Sequence, residues 1–212
     1  MNSLTFLPNN EENFLKTMQT NKILPFSFYC RPAEVVAFEL LGCFLIYEFK
    51  DGVFVGGKIV ETEAYLGEDD PACHSARGKT RANEVMFGPA GRAYVYHIYG
   101  RHLCFNITTD VEEIASAVLI RALEPLVGLE IMIQNRGKKE HLTDGPARLT
   151  EALGITKENN GQNLVKGPIY VLDKIEKIKK EDISVKPRIG ITKASEWPLR
   201  FYLKDSKWVS KK

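Results

Sequence analysis

Two β-hairpins constrain the fold of this chain more than any other feature of its sequence. The first consists of the runs CFLIYEF and VFVGGKIVETEAY, which are rich in β-branched and aromatic residues and flank Asp51-Gly52, a pair typical of tight hairpin turns. The second lies within AYVYHIYGRHLCFNITTD, where we expect the tip near Gly100. Strands joined by such short turns pair antiparallel, so the sequence predicts an antiparallel sheet.

Helical and extended patterns alternate around the hairpins. Helices are predicted for AEVVAFELLG, LVGLEIMIQNRG and DGPARLTEALGIT, and further strands for AVLIRALEP, GPIYVL, PRIGIT and PLRFYLK. The segment from Leu66 to Gly91 is too long for a passive connection, and loops of that length are usually functional. Because no Pro/Ser-rich linker divides the chain, we predict one α+β domain over residues 24–212. Residues 1–23 are predicted to be an N-terminal tail with a short helix around Glu11 to Met18.

Composition excludes several classes of protein. With 212 residues, 44% of them hydrophobic, the chain can bury a substantial core without disulfides. We expect an intracellular protein of the cytoplasm or nucleoid, or of the nucleus in a eukaryote, because no apolar run reaches the ~18 residues that span a bilayer and no secretory signal begins the sequence. The sequence predicts reduced thiols and no zinc site, because no C-x-x-C pair occurs among the cysteines, which are Cys30, Cys43, Cys73 and Cys104.

Charge is balanced overall but unevenly distributed along the chain. The formal net charge is only +2. One base accompanies five acids from Lys58 to Asp70, five bases accompany one acid from His74 to Arg101, and twelve bases accompany six acids from Asp173 to Lys212. Such runs are often only solvated faces. The overall balance excludes a uniformly basic coat, but it does not exclude a nucleic-acid partner.

The strand VETEAY carries two carboxylates close together. Alternation along a strand places Glu61, Glu63 and Tyr65 on one face. Two interpretations are open from these residues alone. They form either an exposed edge strand with paired charges or a catalytic strand that leads into the Leu66–Gly91 loop.

The second hairpin favours a site for an extruded nucleotide. Tyr94 and Tyr96 share one face, whereas Tyr99 lies beside Arg101 near the tip, where an aromatic wedge can enter a base stack while the guanidinium meets phosphate. Further side chains that can hydrogen-bond a base edge are His74 and Asn106. The bases of the loop and hairpin that can offset DNA phosphates are Arg77, Lys79, Arg81 and Arg101.

Such a pocket fits chemistry on a flipped base. Enzymes that act on a base in duplex DNA must first take it out of the stack. A carboxylate can then deprotonate the attacking water and offset the positive charge that forms on the sugar when the N-glycosidic bond breaks. Stacked tyrosines favour cationic or electron-poor rings, and alkylated purines are of this kind.

Several motifs, which follow one another between about Leu24 and Val209, carry a family resemblance. They are VETEAYLG, His74-Ser75, YVYHIYG, CFNIT, IRALEP, DGPARL and WPLRFYLK. With these motifs the chain resembles the 3-methyladenine DNA glycosylases of the alkyladenine (methylpurine) type. The resemblance implies a curved, partly barrel-like antiparallel sheet with surrounding helices and a protruding β-hairpin.

The resemblance also implies an activity. It implies a monofunctional glycosylase of base excision repair that works without metal or cofactor. The substrate would be double-stranded DNA that contains damaged purines such as 3-methyladenine, 7-methylguanine and hypoxanthine, and the product an abasic site. Because inspection of one base at a time needs no symmetry, we expect a monomer with no obligate protein partner and no membrane association.

Roles for individual residues follow from the same resemblance. Glu63 is expected to be the general base that activates water. The expected base pocket consists of Tyr65, His74, Tyr96, Asn106 and Leu119, and in it Asn106 crowds the exocyclic amine of normal guanine. The expected DNA contacts beyond the loop bases are Tyr99, the intercalating wedge, Arg101 next to it, and Arg121, which helps to hold the displaced nucleotide.

Two other functions are open from the sequence. A bifunctional glycosylase-lyase needs an amine nucleophile, and Lys58 is the nearest candidate, although a solvated strand lysine explains it more simply. A non-catalytic reader of damaged or bent DNA would use the same wedge without chemistry. The carboxylate of Glu63 argues against such a reader.

Overall fold

The computed structural model describes residues 8–98 and 100–211. Within these ranges the chain forms five α-helices and eight β-strands. The helices are α1 (Pro8–Thr20), α2 (Phe26–Tyr29), α3 (Ala33–Leu40), α4 (Leu129–Arg136) and α5 (Pro146–Ala152). The strands are β1 (Phe44–Glu48), β2 (Phe54–Tyr65), β3 (Ala93–Ile98), β4 (His102–Thr109), β5 (Ser116–Val127), β6 (Ile169–Leu172), β7 (Ile183–Lys186) and β8 (Arg200–Leu203).

All eight strands belong to one curved antiparallel sheet. Its main order is β3-β4-β5-β2-β1-β6, and within the described ranges no pairing joins β3 to β6, so the sheet is open. The pairing of β2 with β1 ends at Lys58, and β8 takes that side of β2 from Glu61 to Glu63. β7 pairs with β8. The predicted α+β class and curved antiparallel sheet are confirmed.

Both predicted hairpins are present. β1 and β2 are joined through a 3-10 turn, Lys50–Gly52, in which Gly52 has φ of +71°. β3 and β4 turn around Gly100, which has φ of +79°. Positive φ is easily adopted only by glycine, so both turns occur where the sequence supplies the residue they require.

The main hydrophobic core lies on the sheet face opposite to Glu63. Thr62, the neighbour of Glu63 in β2, donates its hydroxyl hydrogen to the carbonyl of Ala37 in α3 at 2.8 Å. Pro32 starts α3, and the apolar side chains of this helix follow helical spacing toward the sheet. The fully buried core residues include Val36, Leu40, Ala64, Phe105, Ile120 and Leu149.

Helix α1 packs against the far end of the sheet. Its Phe14 is buried, with the ring centroid 4.9 Å from that of Phe44. Glu11 accepts a hydrogen bond from the backbone N–H of Gly128 at 2.8 Å. The helix predicted around Glu11 to Met18 therefore exists and makes both apolar and polar contacts. Across the described ranges, no helix is long and apolar enough to cross a bilayer.

One predicted strand is wrong. The segment PRIGIT, residues 187–192, is irregular, and the strand in this part of the chain is β7, which ends at Lys186. The Arg188 side chain turns inward to an ion pair with Asp70, and the N–H of Ile189 donates to the Glu63 carboxylate rather than to a neighbouring strand. Gly190 then adopts φ of +78°. Contacts with Asp70 and Glu63 replace the strand pairing that the apolar alternation predicts.

Candidate active site

The register of the sheet brings candidate residues from four strands into one row. Tyr94 of β3 lies opposite Asn106 of β4, Asn106 lies opposite Leu119 of β5, and Leu119 lies opposite Glu63 of β2. Directly opposed residues point to the same side of a sheet. Residues far apart in the sequence thus form one surface.

Two compensating bulges interrupt the pairing of β2 and β5 next to this row. Ile59 lies opposite Leu123, Glu61 opposite Ala122, and Thr62 opposite Ile120. Each strand therefore holds one extra residue, and on β5 that residue is Arg121. Bulges are frequent beside active sites because they redirect a side chain.

The Leu66–Gly91 loop covers the row. It contains two 3-10 turns, His74–Arg77 and Glu84–Phe87. The Asn83 amide holds the first turn in place, since its Nδ2 donates to the carbonyls of His74 and Gly78, each at 3.0 Å. The His74 imidazole shares a 2.9 Å hydrogen bond, Nδ1 to hydroxyl, with Tyr94 and lies edge-on to Tyr96 at 4.2 Å between centroids.

A cavity of about 340 Å³ lies between the loop and the sheet. This volume falls within the range of about 300–1,000 Å³ that is usual for small-molecule pockets. All five predicted base-pocket residues line it, and so does Arg121. The lining includes Tyr65, Cys73, His74, Tyr94, Tyr96, Cys104, Asn106, Leu119, Arg121, Pro146, Ile189 and Ile191. Aromatic walls with a few polar groups suit a flat heterocycle better than a flexible polar ligand.

Glu63 lies directly behind this cavity, and its side chain is fully buried. Its Oε2 accepts hydrogen bonds from the Tyr65 hydroxyl at 3.0 Å and from Arg121 Nη1 at 3.2 Å, and its Oε1 accepts one from the N–H of Ile189 at 2.7 Å. All three partners line the cavity. Because a carboxylate offers about four acceptor positions, about one is left for a further donor such as water.

The surroundings of Glu63 suit a general base. Burial raises its pKa above the ordinary carboxyl range, and Arg121, the Ile189 N–H and the Tyr65 hydroxyl oppose that shift. A base is most effective when its pKa approaches the working pH. Burial also raises the pKa of Tyr96 and lowers that of His74, so both groups are held in their neutral forms.

A second carboxylate completes a buried charge network. Glu61 is fully buried; it accepts from Arg200 Nη1 at 2.8 Å and from the N–H of Ser210 at 2.7 Å, and it lies 3.4 Å from Arg121 Nε. Arg121 therefore bridges Glu61 and Glu63, and two guanidiniums balance two carboxylates. The interpretation of VETEAY as an exposed edge is wrong, because β2 lies between β5 and β8 at this point.

A charged group that the sequence did not predict lies behind Tyr65. The Arg188 side chain is fully buried, and its guanidinium carbon lies 4.7 Å from the centre of the Tyr65 ring. Both terminal nitrogens contact Asp70. The only sequence signal was an arginine among the apolar residues of PRIGIT, which alternation alone would place on a strand surface.

The basic residues predicted to contact DNA fall into two groups. One group is exposed on the loop and on the second hairpin: Arg77, Lys79, Arg81 and Arg101. Arg121 is different, because it is buried in the charge network and reaches only the cavity. The predicted wedge, Tyr99, lies outside the described residues.

Lys58 has a structural partner. Its Nζ lies 2.6 Å from Glu124 on the opposite strand, with both side chains about one third exposed, and it does not line the cavity. Nothing in this placement favours an amine nucleophile at the site.

A metal site and a second cavity would be the alternatives to this site. Over the residues that the structure describes, no group of three or more His, Cys, Asp or Glu side chains is placed to hold a metal ion. A larger cleft of about 670 Å³ lies between α1 and the start of α4. Of the described residues, only two aromatic ones, Phe54 and Tyr170, line this cleft, whereas three tyrosines and His74 line the smaller cavity next to Glu63, so we place the candidate active site at the smaller cavity.

Comparison with known proteins shows the family of this chain. The model of the methylpurine-DNA glycosylase family matches residues 27–207. A protein of Carboxydothermus hydrogenoformans is 51% identical over 192 residues, which cover 90% of this chain and 100% of the relative. One of Methanoculleus marisnigri is 50% identical over 193 residues, covering 89% and 99%, and one of Myxococcus xanthus is 49% identical over 191 residues, covering 89% and 93%. All three bear the name "Putative 3-methyladenine DNA glycosylase".

Fold, site and comparisons define a hydrolase of N-glycosyl bonds that acts on DNA in repair. The chain belongs to the methylpurine-DNA glycosylase family. The resemblance seen in the sequence motifs is thereby confirmed.

Proposed function

We propose that this protein is a monofunctional glycosylase that flips damaged purines out of duplex DNA and hydrolyses their N-glycosidic bond with a water activated by Glu63. The proposed substrates are alkylated or deaminated purines such as 3-methyladenine, 7-methylguanine and hypoxanthine. The observation that carries the proposal is the buried Glu63 carboxylate behind an aromatic cavity, held by Tyr65, Arg121 and Ile189.

Base flipping is supported by the position of the cavity. It lies between the Leu66–Gly91 loop and the sheet, with Tyr65 and Tyr96 on its walls. A base stacked within a duplex could not enter such a space, so the nucleotide must be extruded before it reaches Glu63.

The chemistry requires one proton acceptor and one leaving group. Glu63 takes a proton from water, the water oxygen bonds to C1′ of the sugar, and the electrons of the N-glycosidic bond leave with the purine. The carboxylate also offsets the positive charge that develops on the sugar. A cationic alkylpurine departs as a neutral base and needs no acid, whereas a neutral purine must gain a proton as it leaves.

The walls of the cavity supply selectivity. Tyr65 and Tyr96 line the cavity, and the face of an aromatic ring favours cationic and electron-poor bases. The Asn106 amide is fixed because its Nδ2 donates to the carbonyl of Tyr94 at 3.1 Å. An amide that cannot swing away would crowd the 2-amino group of normal guanine. Leu119, opposite Glu63 in the sheet, adds an apolar side chain to the lining of the cavity.

The DNA itself is proposed to lie across the loop and the second hairpin. Tyr99 at the tip fills the gap in the stack, while the exposed bases contact phosphates: Arg77, Lys79, Arg81 and Arg101. Arg121 acts from within the cavity on the displaced nucleotide. We further propose that residues 24–212 act as one domain, as a monomer, without an obligate protein partner.

A base-release panel tests the proposed reaction. Duplexes that each contain one defined lesion are incubated with the protein, and free bases are separated by chromatography. Release of intact damaged purines, with abasic sites left in uncleaved strands, is expected. Borohydride treatment should trap no crosslink, since a crosslink to the protein would reveal a lyase amine, with Lys58 the first candidate. Tight binding of lesion DNA without release would instead indicate the non-catalytic reader.

A further inference from the structure

The pair Asp70–Arg188 is the most completely buried ion pair described in the molecule. Both side chains are fully buried, and the guanidinium meets the carboxylate through both terminal nitrogens, Nη2 to Oδ1 at 2.9 Å. Arg188 Nη1 also donates to the carbonyl of Ala64 at 3.0 Å. Asp70 accepts from the N–H groups of Leu66 and Ala72. The pair thus ties the loop after β2 to the irregular segment before β8.

Both ends of this pair lead to Glu63. Arg188 covers the Tyr65 ring, and the Tyr65 hydroxyl donates to Glu63. Ile189, the next residue along the chain, donates its N–H to the other oxygen of Glu63. Two of the three hydrogen bonds that orient Glu63 therefore depend on where Arg188 lies.

Stability alone does not account for such a pair. Replacing a buried ion pair with packed apolar side chains is often neutral or stabilising, because desolvation cancels much of the attraction. The Nε of Arg188 is buried and has no hydrogen-bond partner among the described residues, which adds a further cost. Since burying the Arg188 guanidinium is costly, its effect on the nearby Glu63 explains its presence better than stability does.

We propose that Arg188 and Asp70 are positioning residues that orient Glu63 through Tyr65 and Ile189 and set how readily it ionises. This inference rests on the proposed role of Glu63 as the general base. Arg188 favours the charged carboxylate by its positive charge, and Asp70 moderates that influence. Neither residue touches the reacting atoms.

Other charged or titratable groups also face Glu63, and none of them is substituted in the Arg188 and Asp70 variants. They come from β2, β5, β3 and β4 and comprise Glu61, Tyr65, Arg121, Tyr96 and Cys104. Each variant therefore differs from the wild type by one substitution and keeps the same set of charged and titratable residues around Glu63.

The two partners are expected to act with opposite signs. Arg188→Met removes a positive charge and loosens two hydrogen bonds to Glu63, so protonated Glu63 persists to higher pH. Asp70→Asn leaves the guanidinium unbalanced, so Glu63 stays ionised to lower pH. A purely structural pair would lower stability in both variants and would not separate the signs.

The test is the pH dependence of single-turnover excision, measured on the lesion duplex that the wild type cleaves fastest. The acidic limb of the pH profile, where the excision rate falls as the pH decreases, is expected to move up by about one pH unit in Arg188→Met. In Asp70→Asn it is expected to move down by a comparable amount. A shift of about this size is typical of a charge interaction at an effective dielectric constant of about 20. Arg188→Lys keeps the positive charge, so its acidic limb should lie at the same pH as that of the wild type, while its maximal excision rate remains reduced. It also keeps the test decisive if Arg188→Met fails to fold.

Matched controls come from the Lys58–Glu124 pair, which joins β2 to β5 away from the cavity. Lys58→Met and Glu124→Gln should leave the acidic limb unchanged. Shifts in the same direction in both Asp70 and Arg188 variants, or no shift in either, would overturn the inference even if the wild type releases bases normally. Absence of base release by the wild type would count against the proposed function instead.

Discussion

Glu61→Gln tests whether the two buried carboxylates and two guanidiniums form one balanced network. The substitution keeps the shape and an acceptor oxygen but removes one negative charge, so Arg200 loses its carboxylate partner and Arg121 keeps only Glu63. Breaking a buried pair by removing one partner costs about 3–5 kcal/mol. Because Gln retains part of the hydrogen bonding to Arg200 and to the Ser210 N–H, we expect a loss of about 3 kcal/mol.

Thermal unfolding measures this loss. For a chain of this size, about 1 kcal/mol corresponds to a shift of roughly 2–4 °C, so Tm should fall by about 6–12 °C. Glu124→Gln is the matched control, since Glu124 pairs with Lys58 across the same strands but is one third exposed. Such pairs contribute about 0–1 kcal/mol, so its Tm should change little. Equal losses in the two variants would refute the idea of a charge-balanced network.

Three further outcomes follow from the site. Tyr94→Phe removes the hydroxyl bonded to His74, and excision should slow about 5- to 10-fold in single-turnover assays, the effect of one neutral hydrogen bond; an unchanged rate would show that His74 needs no such partner. Tyr99→Ser should weaken binding to lesion duplex far more than binding to undamaged DNA, whereas Arg77→Ala should weaken both and lower the salt dependence of binding by about one ion; equal losses on both duplexes for Tyr99→Ser would contradict the wedge. Burial alone would raise the pKa of Asp70, but the hydrogen bonds from Arg188 and from backbone N–H groups lower it below the usual aspartate value. The ionised Asp70 therefore stabilises the fold fully above the unfolded pKa of about 3.9. This stabilisation is lost as the pH falls through the lower pKa of the folded state. The stability difference between wild type and Asp70→Asn should shrink accordingly in acid, and a constant difference would show that ionisation of Asp70 is irrelevant.

Local patterns predicted most of the fold because they specify local geometry. The Asp51-Gly52 pair marks a turn that needs positive φ, and Gly100 does the same for the second hairpin. Pro32 and the spacing of apolar residues after it specify α3. Each of these features depends on residues within one or two turns of chain, where the sequence holds the whole explanation.

The sequence could not predict PRIGIT, because its conformation depends on distant partners. Its apolar alternation is typical of a strand, yet Arg188 binds Asp70 and the N–H of Ile189 binds Glu63, which lie more than a hundred residues earlier in the chain. Tertiary contacts of that kind override local propensity. An irregular segment here is the structural consequence of its role at the site.

The tyrosines and Asn106 that line the candidate pocket were named from the sequence, but the burial of the charged residues around Glu63 was not predicted. Alternation along β2, β3 and β4 grouped Tyr65, Tyr94, Tyr96 and Asn106, which line one cavity, with Glu63, which is hydrogen-bonded to Tyr65. The burial of Arg121 was not evident, because it follows from a bulge in β5 and from pairing with two carboxylates. Register shifts are not written in residue types, so they emerge only in the folded sheet.

The most direct test of the central role of Glu63 is the single-turnover excision rate of Glu63→Gln, measured together with its affinity for lesion duplex. Gln keeps the volume and an acceptor but cannot take a proton from water, and general-base catalysis is typically worth about 10²–10⁴ in rate. We expect excision to fall by at least about 100-fold while the dissociation constant changes little, because the side chain is fully buried behind the cavity. Base release at a rate near that of the wild type would contradict the account.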